Sequence, residues 1–565
     1  MRATEQTEVA TRASMNTELF GVFGTQSDFE RFRSVKEFDE VVSETEATVG
    51  IRSHSLDIRG CSSSYSDSDG TCIIFGEAYP AGESSPNTAH WLLDQFSTAG
   101  MDALSQLNGS YLAYIEHAGE SVVVTDPIRS WECYYADVGG ARVFSTDIAM
   151  LKHLVANPTP NRTAVLEFLH LGTVLGTKTL FEEIRRVPID SYLTATTTES
   201  LSRFVYDPQE FDYVTELADR LQRAVHLRSH FPGKKGILLS GGKDSRVFLS
   251  QLPDISQTYT IGRNESREVR VAKKIAHQYN AEHTVLEPSD RYLSTSDEKL
   301  RYSQSIKEAL HIHHAGYDDL LDVDVMYHGL LFDTLFKGYF LEWDGMEVLG
   351  SKLPSTTLVR DPDPVDSLLA TLGYFPTPSE HMASLVEQVF PTLDLDHVSP
   401  RKFLETQLSE ELSRCWERTD SVHNAMDLLV ISNQPVMPFR TQLADNYFEP
   451  FVAIDTTLLD WHLKTPPEYR NSETFRKALE RIDPNILHHR PPSQPHDSNK
   501  LNQLERFIRR KLPFVEEFEP AWPDRNQIYA DYGLAEKLFP NQPAVHALPV
   551  RLQLRIHNTH WWLDR

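Results

Sequence analysis

Cysteine is scarce in this chain. Four are spread over 565 residues, at Cys61, Cys72, Cys133 and Cys415, too few and too scattered for a disulfide framework or a CxxC metal knuckle. Positive charge is short as well: 55 Lys plus Arg stand against 81 Asp plus Glu, a formal net charge of −26. Nucleic-acid binders displace counterions from phosphates with clustered cations, and no basic patch stands apart here, so no nucleic-acid partner is expected. No uncharged apolar run reaches the ~20 residues of a membrane helix, and MRATEQTEVATRASMNT at the N-terminus lacks the apolar core of a signal peptide. These absences lead to the expectation of a cytoplasmic protein with no membrane partner. No repeat of fixed period stands out.

What is present is enough for a multidomain globular protein. At ~100–200 residues per domain the length implies more than one domain, and a hydrophobic content of 40% fills sizeable cores. Residues 1–16 are polar and read as a disordered leader. From 17 to 206 come short β-rich stretches, at 19–24, 71–79, 109–117, 121–126 and 141–146, punctuated by SDSDG and GG turns, with a helix near 167–175. From about 207 the pattern changes. TELADRLQRAVHL has apolar residues at helical spacing, and it is followed by a strand at 237–239, a helix, a strand at 255–262, the helical SREVRVAKKIAHQYN and a strand in AEHTVLEP. Strands alternating with helices predict a parallel sheet covered on both faces. The remainder to residue 565 reads as mainly helical, broken by Pro-rich connectors at 354–377 and 491–495.

The segment GILLSGGKDSRVFLS, 236–250, carries the most chemistry. The apolar run ending at Leu239 predicts a buried parallel strand, and Ser240-Gly241-Gly242-Lys243-Asp244-Ser245 the turn opening the next helix. Paired glycines let backbone approach an anion, and free amides at the start of a helix point at it. Ser240 and Ser245 offer hydroxyl donors, while Asp244 would repel a phosphate unless a divalent cation stood between them, which predicts Mg2+. The plainer reading is an ordinary Ser-Gly-Gly turn. The run SGGKDS resembles the SGGxDS signature of the PP-loop ATP pyrophosphatases and not a Walker loop, which requires GxxxxGK[ST].

Around this motif the chain resembles the glutamine-dependent asparagine synthetases and their β-lactam synthetase relatives, from about residue 17 to the C-terminus. The resemblance implies two domains: an N-terminal Ntn-type αββα sandwich of the class II glutamine amidotransferase kind over 17–206, and a doubly wound parallel-sheet PP-loop domain with a helical extension over 207–565. It implies ATP and Mg2+ as cofactors. The family's GDGGDELFGGY loop is matched by the run 329–339, which keeps Gly329, Asp333, Leu335, Phe336, Gly338 and Tyr339. On that match Asp333 joins Asp244 across the metal, its plainer reading being a helix-capping Asp. Glu268 resembles the family's acidic residue after the second strand, and Tyr259 to Ile261 would flank the adenine. In FRKALERI, Lys477 and Arg481 share one helical face and resemble the catalytic lysine and its neighbour; otherwise Lys477 is a solvated helix lysine. EPFVAID at 449–455 resembles the family's RxPFLD segment, with Phe448 at the Arg position.

The same comparison implies a lost glutaminase. The family's nucleophile is an N-terminal cysteine whose own α-amine is the base; here Thr17 falls at that position, preceded by sixteen residues. The NGEIYN loop, whose Asn polarises the glutamine carbonyl, is matched by 75–80, which places Phe75 where a donor is required. The expected function is therefore an ATP-dependent amide-forming ligase that adenylates a carboxylate, aspartate by default, and transfers an amine with release of AMP and pyrophosphate, without its own glutaminase. Its partners would be a small-molecule carboxylate and an amine donor, and an acidic surface is compatible with a homodimer. Two rivals stand beside it: a degenerate nucleotide-binding protein, and a ligase tailoring a peptide, sugar or secondary metabolite. The histidines of HIHHAG, 311–316, read as a surface helix face, and Trp561 and Trp562 as aromatics of a C-terminal helix docked into the core.

Overall fold

A computed structural model describes residues 15–81, 85–348, 351–373, 389–390, 399–433, 437–496, 499–511 and 518–564. All but the last two residues of the expected disordered leader lie outside the described residues, as do 374–388.

The first half is built from two six-stranded sheets. One runs Arg185–Arg186, Tyr134–Val138, Ala141–Ser145, Glu18–Phe23, Thr48–Arg52, Glu40–Ser43; the other runs Thr198–Ser200, Ser191–Leu193, Glu120–Thr125, Leu107–His117, Gly70–Pro80, Ser63–Ser66. The pairings within both sheets are antiparallel. Successive side chains of a strand point to opposite faces, so neighbouring residues serve different layers. Leu19 packs between the sheets with Phe75, Leu112 and Phe144, while Phe20 and Val22 face outward onto Phe168 and Leu169 of the helix Arg162–Leu171. On the other sheet Ile73 points inward, and Ile74 packs outward with Leu92 and Leu93 of the helix Thr88–Ala99. The result is the four-layer αββα sandwich. Helix Arg162–Leu171 starts before the expected 167 and stops at Gly172, whose φ of 71° closes the helix in the left-handed conformation.

The second half holds a four-stranded parallel sheet in the order Glu282–Leu286, Ile255–Ile261, Lys235–Leu238, Val325–Tyr327. Helices Tyr213–Leu227, Arg246–Gln251 and Arg267–Gln278 accompany it. The chain winds outward in one direction from Lys235–Leu238, then returns to add Val325–Tyr327 on its other side, and such a reversal opens a crevice at the strands' carboxyl ends. The expected connector at 354–377 begins in a strand and continues into the helix Pro364–Thr371: Ser351–Leu358 pairs with Trp343–Val348 in a two-stranded ribbon. A two-stranded ribbon has only edge strands, where a proline need not donate to a ladder.

The halves are joined by buried charge. Arg228 pairs with Glu77 across the joint and with Asp455 at 2.8 Å. Arg440 bonds Glu449 at 2.9 Å, donates to Ser110 Oγ at 2.8 Å, and lies 3.7 Å over the Trp131 ring. The C-terminal helix Val550–Asp564 packs into the outer layer of the first half, with Trp562 buried and donating to Ser303 Oγ at 2.7 Å.

Candidate active site

The strand Lys235–Leu238 runs into Leu239, whose N–H donates to the Tyr259 carbonyl at 2.8 Å and whose carbonyl accepts from the Thr260 hydroxyl. These bonds tie the loop root to the neighbouring strand. Ser240 Oγ then accepts from the Gly242 N–H at 3.1 Å, and a Cβ at residue 242 would sit 2.9 Å from that hydroxyl oxygen. The Gly241 N–H donates to Glu268 Oε1 at 2.6 Å, so Glu268, in the first turn of Arg267–Gln278, already holds an acceptor where the loop is expected to meet an anion. Burial pushes the Glu268 carboxyl above its usual range. Ser245 is buried at the start of the helix Arg246–Gln251 and makes no capping bond with its hydroxyl.

Beneath the loop lies a residue that the sequence reading passed over. Arg246 is fully buried and donates to four carbonyls, those of Gly241 at 2.9 Å, Gly242 at 2.6 Å, Ile486 at 2.9 Å and His489 at 2.5 Å. A planar fork with five N–H groups can serve such a ring of acceptors, and no other side chain can. The only sequence signal was an arginine directly after the SGGKDS run.

The second loop closes on the first. Gly329 follows the strand Val325–Tyr327, and a Cβ there would sit 2.8 Å from Asp244 Cβ, so glycine is what lets the two loops touch. Asp333 lies in the first turn of Phe332–Lys337. The expected juxtaposition of Asp244 and Asp333 is found, with an ammonium group between them: Lys337 Nζ lies 2.7 and 2.9 Å from the two Asp244 oxygens and contacts Asp333 Oδ1 as well. Burial works to discharge Lys337, but Asp244 and Asp333 outweigh it and raise its pKa. Among the described residues no group of three or more His, Cys, Asp or Glu side chains is placed to hold a metal ion. With its two carboxylates already bridged by a cation, this pair does not fit Mg2+.

Leu239, Ser240, Asp244, Ser245, Ile261, Glu268 and Gly329 all line one cavity of about 290 Å3 at the carboxyl edge of the parallel sheet. Its far wall corrects another expectation. HIHHAG is no surface face: His311, His313, His314 and His328 line the cavity with Phe439 and Trp522. His314 is buried, and its ring centroid lies 3.7 Å from that of Phe439, the two rings tilted at 43°. Burial pushes the pKa of His311 down to about 4 and of His313 to about 3, with His314 also far below the ordinary value, so these imidazoles are neutral. The periodicity of a mixed His-Ala-Gly run does not reveal which face is buried, because the run forms a kinked 3₁₀ stretch, Ala309–Leu320, and not an α-helix.

Lys477 and Arg481 do not join this cavity. Helix Ser472–Ile482 buries Thr474, Phe475, Ala478 and Leu479, which turns Lys477 outward: its side chain is 54% exposed and its nearest acid is Glu473 at 3.6 Å. Arg481 is exposed too. In the first half, Thr17 is a mid-chain residue whose peptide N–H donates to Asp445 Oδ1 at 2.8 Å. Phe75 is buried 4.6 Å from the Trp131 ring, edge to face. The cavity around Thr17 and Phe75 measures about 40 Å3, room for a few waters.

Residues 216–339 match the family model of asparagine synthase. No curated protein matches the chain. Among solved structures, the allosteric regulatory enzyme of purine biosynthesis is 11% identical, with a TM-score of 0.22 over 48% of this chain and 75% of that one. The glutamine phosphoribosylpyrophosphate amidotransferase of B. subtilis, complexed with ADP and GMP, is 10% identical, with a TM-score of 0.22 over 65% of this chain and 85% of that one. Likenesses this slight say nothing of this chain's activity. The segment similar to asparagine synthase, 216–339, begins in the helix Tyr213–Leu227 and ends just beyond Lys337, and it encloses the Ser240–Ser245 loop, Glu268, Gly329 and Asp333.

Proposed function

We propose that the protein is an ATP-dependent ligase that forms an amide by adenylating a carboxylate. One observation carries the reading: Gly329 seats the second loop against Asp244, so both loops open on a single cavity at the carboxyl edge of the parallel sheet, where open α/β sheets take their ligands. The nucleotide's phosphates would meet the Ser240–Ser245 turn, with Leu239 and Ile261 beside the adenine. Binding would displace Glu268 from the Gly241 N–H and free that donor for a phosphate oxygen. A substrate carboxylate oxygen then attacks the α-phosphorus and pyrophosphate leaves; an amine attacks the acyl carbon and AMP leaves. Holding the two reactants in one cavity converts a bimolecular encounter into an intramolecular one.

Three observations support an ammonia source other than glutamine. Thr17 has a peptide nitrogen and no amine, Phe75 has no hydrogen to donate to an oxyanion, and the space between them is too small for a glutamine side chain. Aspartate as the carboxylate rests on the family alone. The outward turn of Lys477 favours a second reading, a protein that binds nucleotide without turning it over.

Exchange of labelled pyrophosphate into ATP, assayed across a panel of carboxylates, tests the proposal. Carboxylate-stimulated exchange that disappears in Asp244→Ala is the expected result. ATP binding with no exchange for any acid would establish the second reading instead. Glutamate release from glutamine should not exceed that of a Thr17→Ala variant.

A further inference from the structure

We propose that Lys337 is the resident cation of this site, keeping divalent metal out from between Asp244 and Asp333 and allowing ATP to bind without a metal bridge across the two carboxylates. The inference rests on the nucleotide-binding part of the proposed function. It begins with placement. Asp333 and Lys337 are four residues apart on the helix Phe332–Lys337, a spacing that puts two side chains on one face. Asp244 comes from the other loop, and its two oxygens receive the same ammonium at 2.7 and 2.9 Å. An ammonium has three N–H donors, and three carboxylate oxygens surround this one. Every donor is therefore engaged.

The surroundings hold the lysine there. Its side chain is 13% exposed, and Nζ lies 5.3 Å over the Phe475 ring, whose π face attracts a cation. Gly338, at φ 56°, ends the helix directly after Lys337, and the last turn of a helix favours positive charge. A hard dication needs oxygen ligands on several sides. Here the two carboxylates that could begin such a shell already face inward onto Lys337, and among the described residues no third acidic or imidazole donor joins them. A metal entering between them would meet a positive charge at contact distance, on a side chain that is itself largely buried although Asp333 is open to solvent. The ammonium also neutralises part of the negative charge that would otherwise repel a triphosphate.

The full-length protein titrated with Mn2+ alone, followed by electron paramagnetic resonance, tests this directly. Wild type should bind no Mn2+ that depends on Asp244. Lys337→Met and Lys337→Gln, which remove the charge while keeping length, should each gain one Mn2+ per chain, bound at least ~10-fold tighter than in wild type, and Asp244→Asn in the same background should abolish it. Calorimetry with ATP supplies an independent readout: wild-type affinity should be the same within about twofold in EDTA and in Mg2+, whereas the Lys337 variants should lose about tenfold in EDTA. Wild-type Mn2+ binding abolished by Asp244→Asn, ATP binding lost in EDTA, or Lys337 variants that gain no Mn2+ would each overturn the proposal. Absence of ATP binding under every condition would refute the nucleotide reading, while the Mn2+ titration would still decide the role of Lys337.

Discussion

Arg246 shows how much of the Ser240–Ser245 loop depends on one buried side chain. Its guanidinium gathers the carbonyls of Gly241 and Gly242 from one side and those of Ile486 and His489 from the other. Removing it leaves four carbonyls short of a donor, each worth about 1–3 kcal/mol if it stays buried and dry. Arg246→Ala should therefore destabilise the protein by about 3 kcal/mol or more and weaken ATP binding by at least ~10-fold, as read by urea unfolding and calorimetry. Arg246→Lys should recover less than half of the loss, because one ammonium has three donors and no planar fork. A second prediction concerns the acyl subsite. Among the described residues no Lys or Arg lines the cavity, whose far wall carries the imidazoles of His311, His313 and His314, held neutral by burial, with Phe439 and Trp522. An α-carboxylate buried there has no cation to pair with, at a cost of several kcal/mol. Pyrophosphate exchange should accordingly run at least ~10-fold faster with a planar monocarboxylate such as cinnamate than with aspartate.

At the scale of single elements, helix Ser472–Ile482 and helix Arg162–Leu171 each make a testable case. The first spends its apolar stripe on Phe475 and Leu479 and so turns Lys477 to solvent. Lys477→Ala should leave ATP affinity within about twofold of wild type, since an exposed pair to Glu473 is worth at most about 1 kcal/mol. The second helix buries Glu167, which receives the Leu175 N–H at 2.9 Å and faces Lys178 at 3.0 Å. Burial outweighs Lys178 and raises the carboxyl from 4.5 to about 7. Between those values the folded state keeps a proton that the unfolded chain has released. The stability this group contributes is thus complete below pH 4.5 and is lost as pH climbs through about 7. Glu167→Gln, fixed in the neutral form, should gain about 2–3 kcal/mol relative to wild type on going from pH 5 to pH 8, measured by urea unfolding at both.

For the whole molecule, the joint between the halves is an array of buried ion pairs. Arg228 spans Glu77 of the first half and Asp455 of the second, and Asp455 also accepts from Asn108 at 2.8 Å. Truncating one partner of a buried pair leaves the other charge stranded, at about 3–5 kcal/mol. Arg228→Ala should lower stability by that amount, and calorimetry should resolve two unfolding transitions where wild type has one, because the contacts that couple the halves are the ones removed. The C-terminal helix adds to this coupling, since Trp562 and Arg555 reach the outer helix layer of the first half.

Much of this architecture was legible in the chain. The strands at 19–24, 71–79 and 109–117 stand where Glu18–Phe23, Gly70–Pro80 and Leu107–His117 form, because alternation and turn residues are local properties. The turn at Ser240 was readable for the same reason, whereas the meeting of Asp244 with Asp333 and the placing of Glu268 and Gly329 on one cavity followed only from the family resemblance, since these residues lie on separate elements. What only the tertiary structure decided is which side chains face one another across separate elements. No spacing rule tells that Lys337 reaches Asp244, that Arg246 reaches Ile486, or that the 3₁₀ bend at Ile312 turns three histidines inward. Those outcomes depend on the summed packing of distant surfaces, and a periodicity measured along the chain carries no information about the element that will come to lie against it.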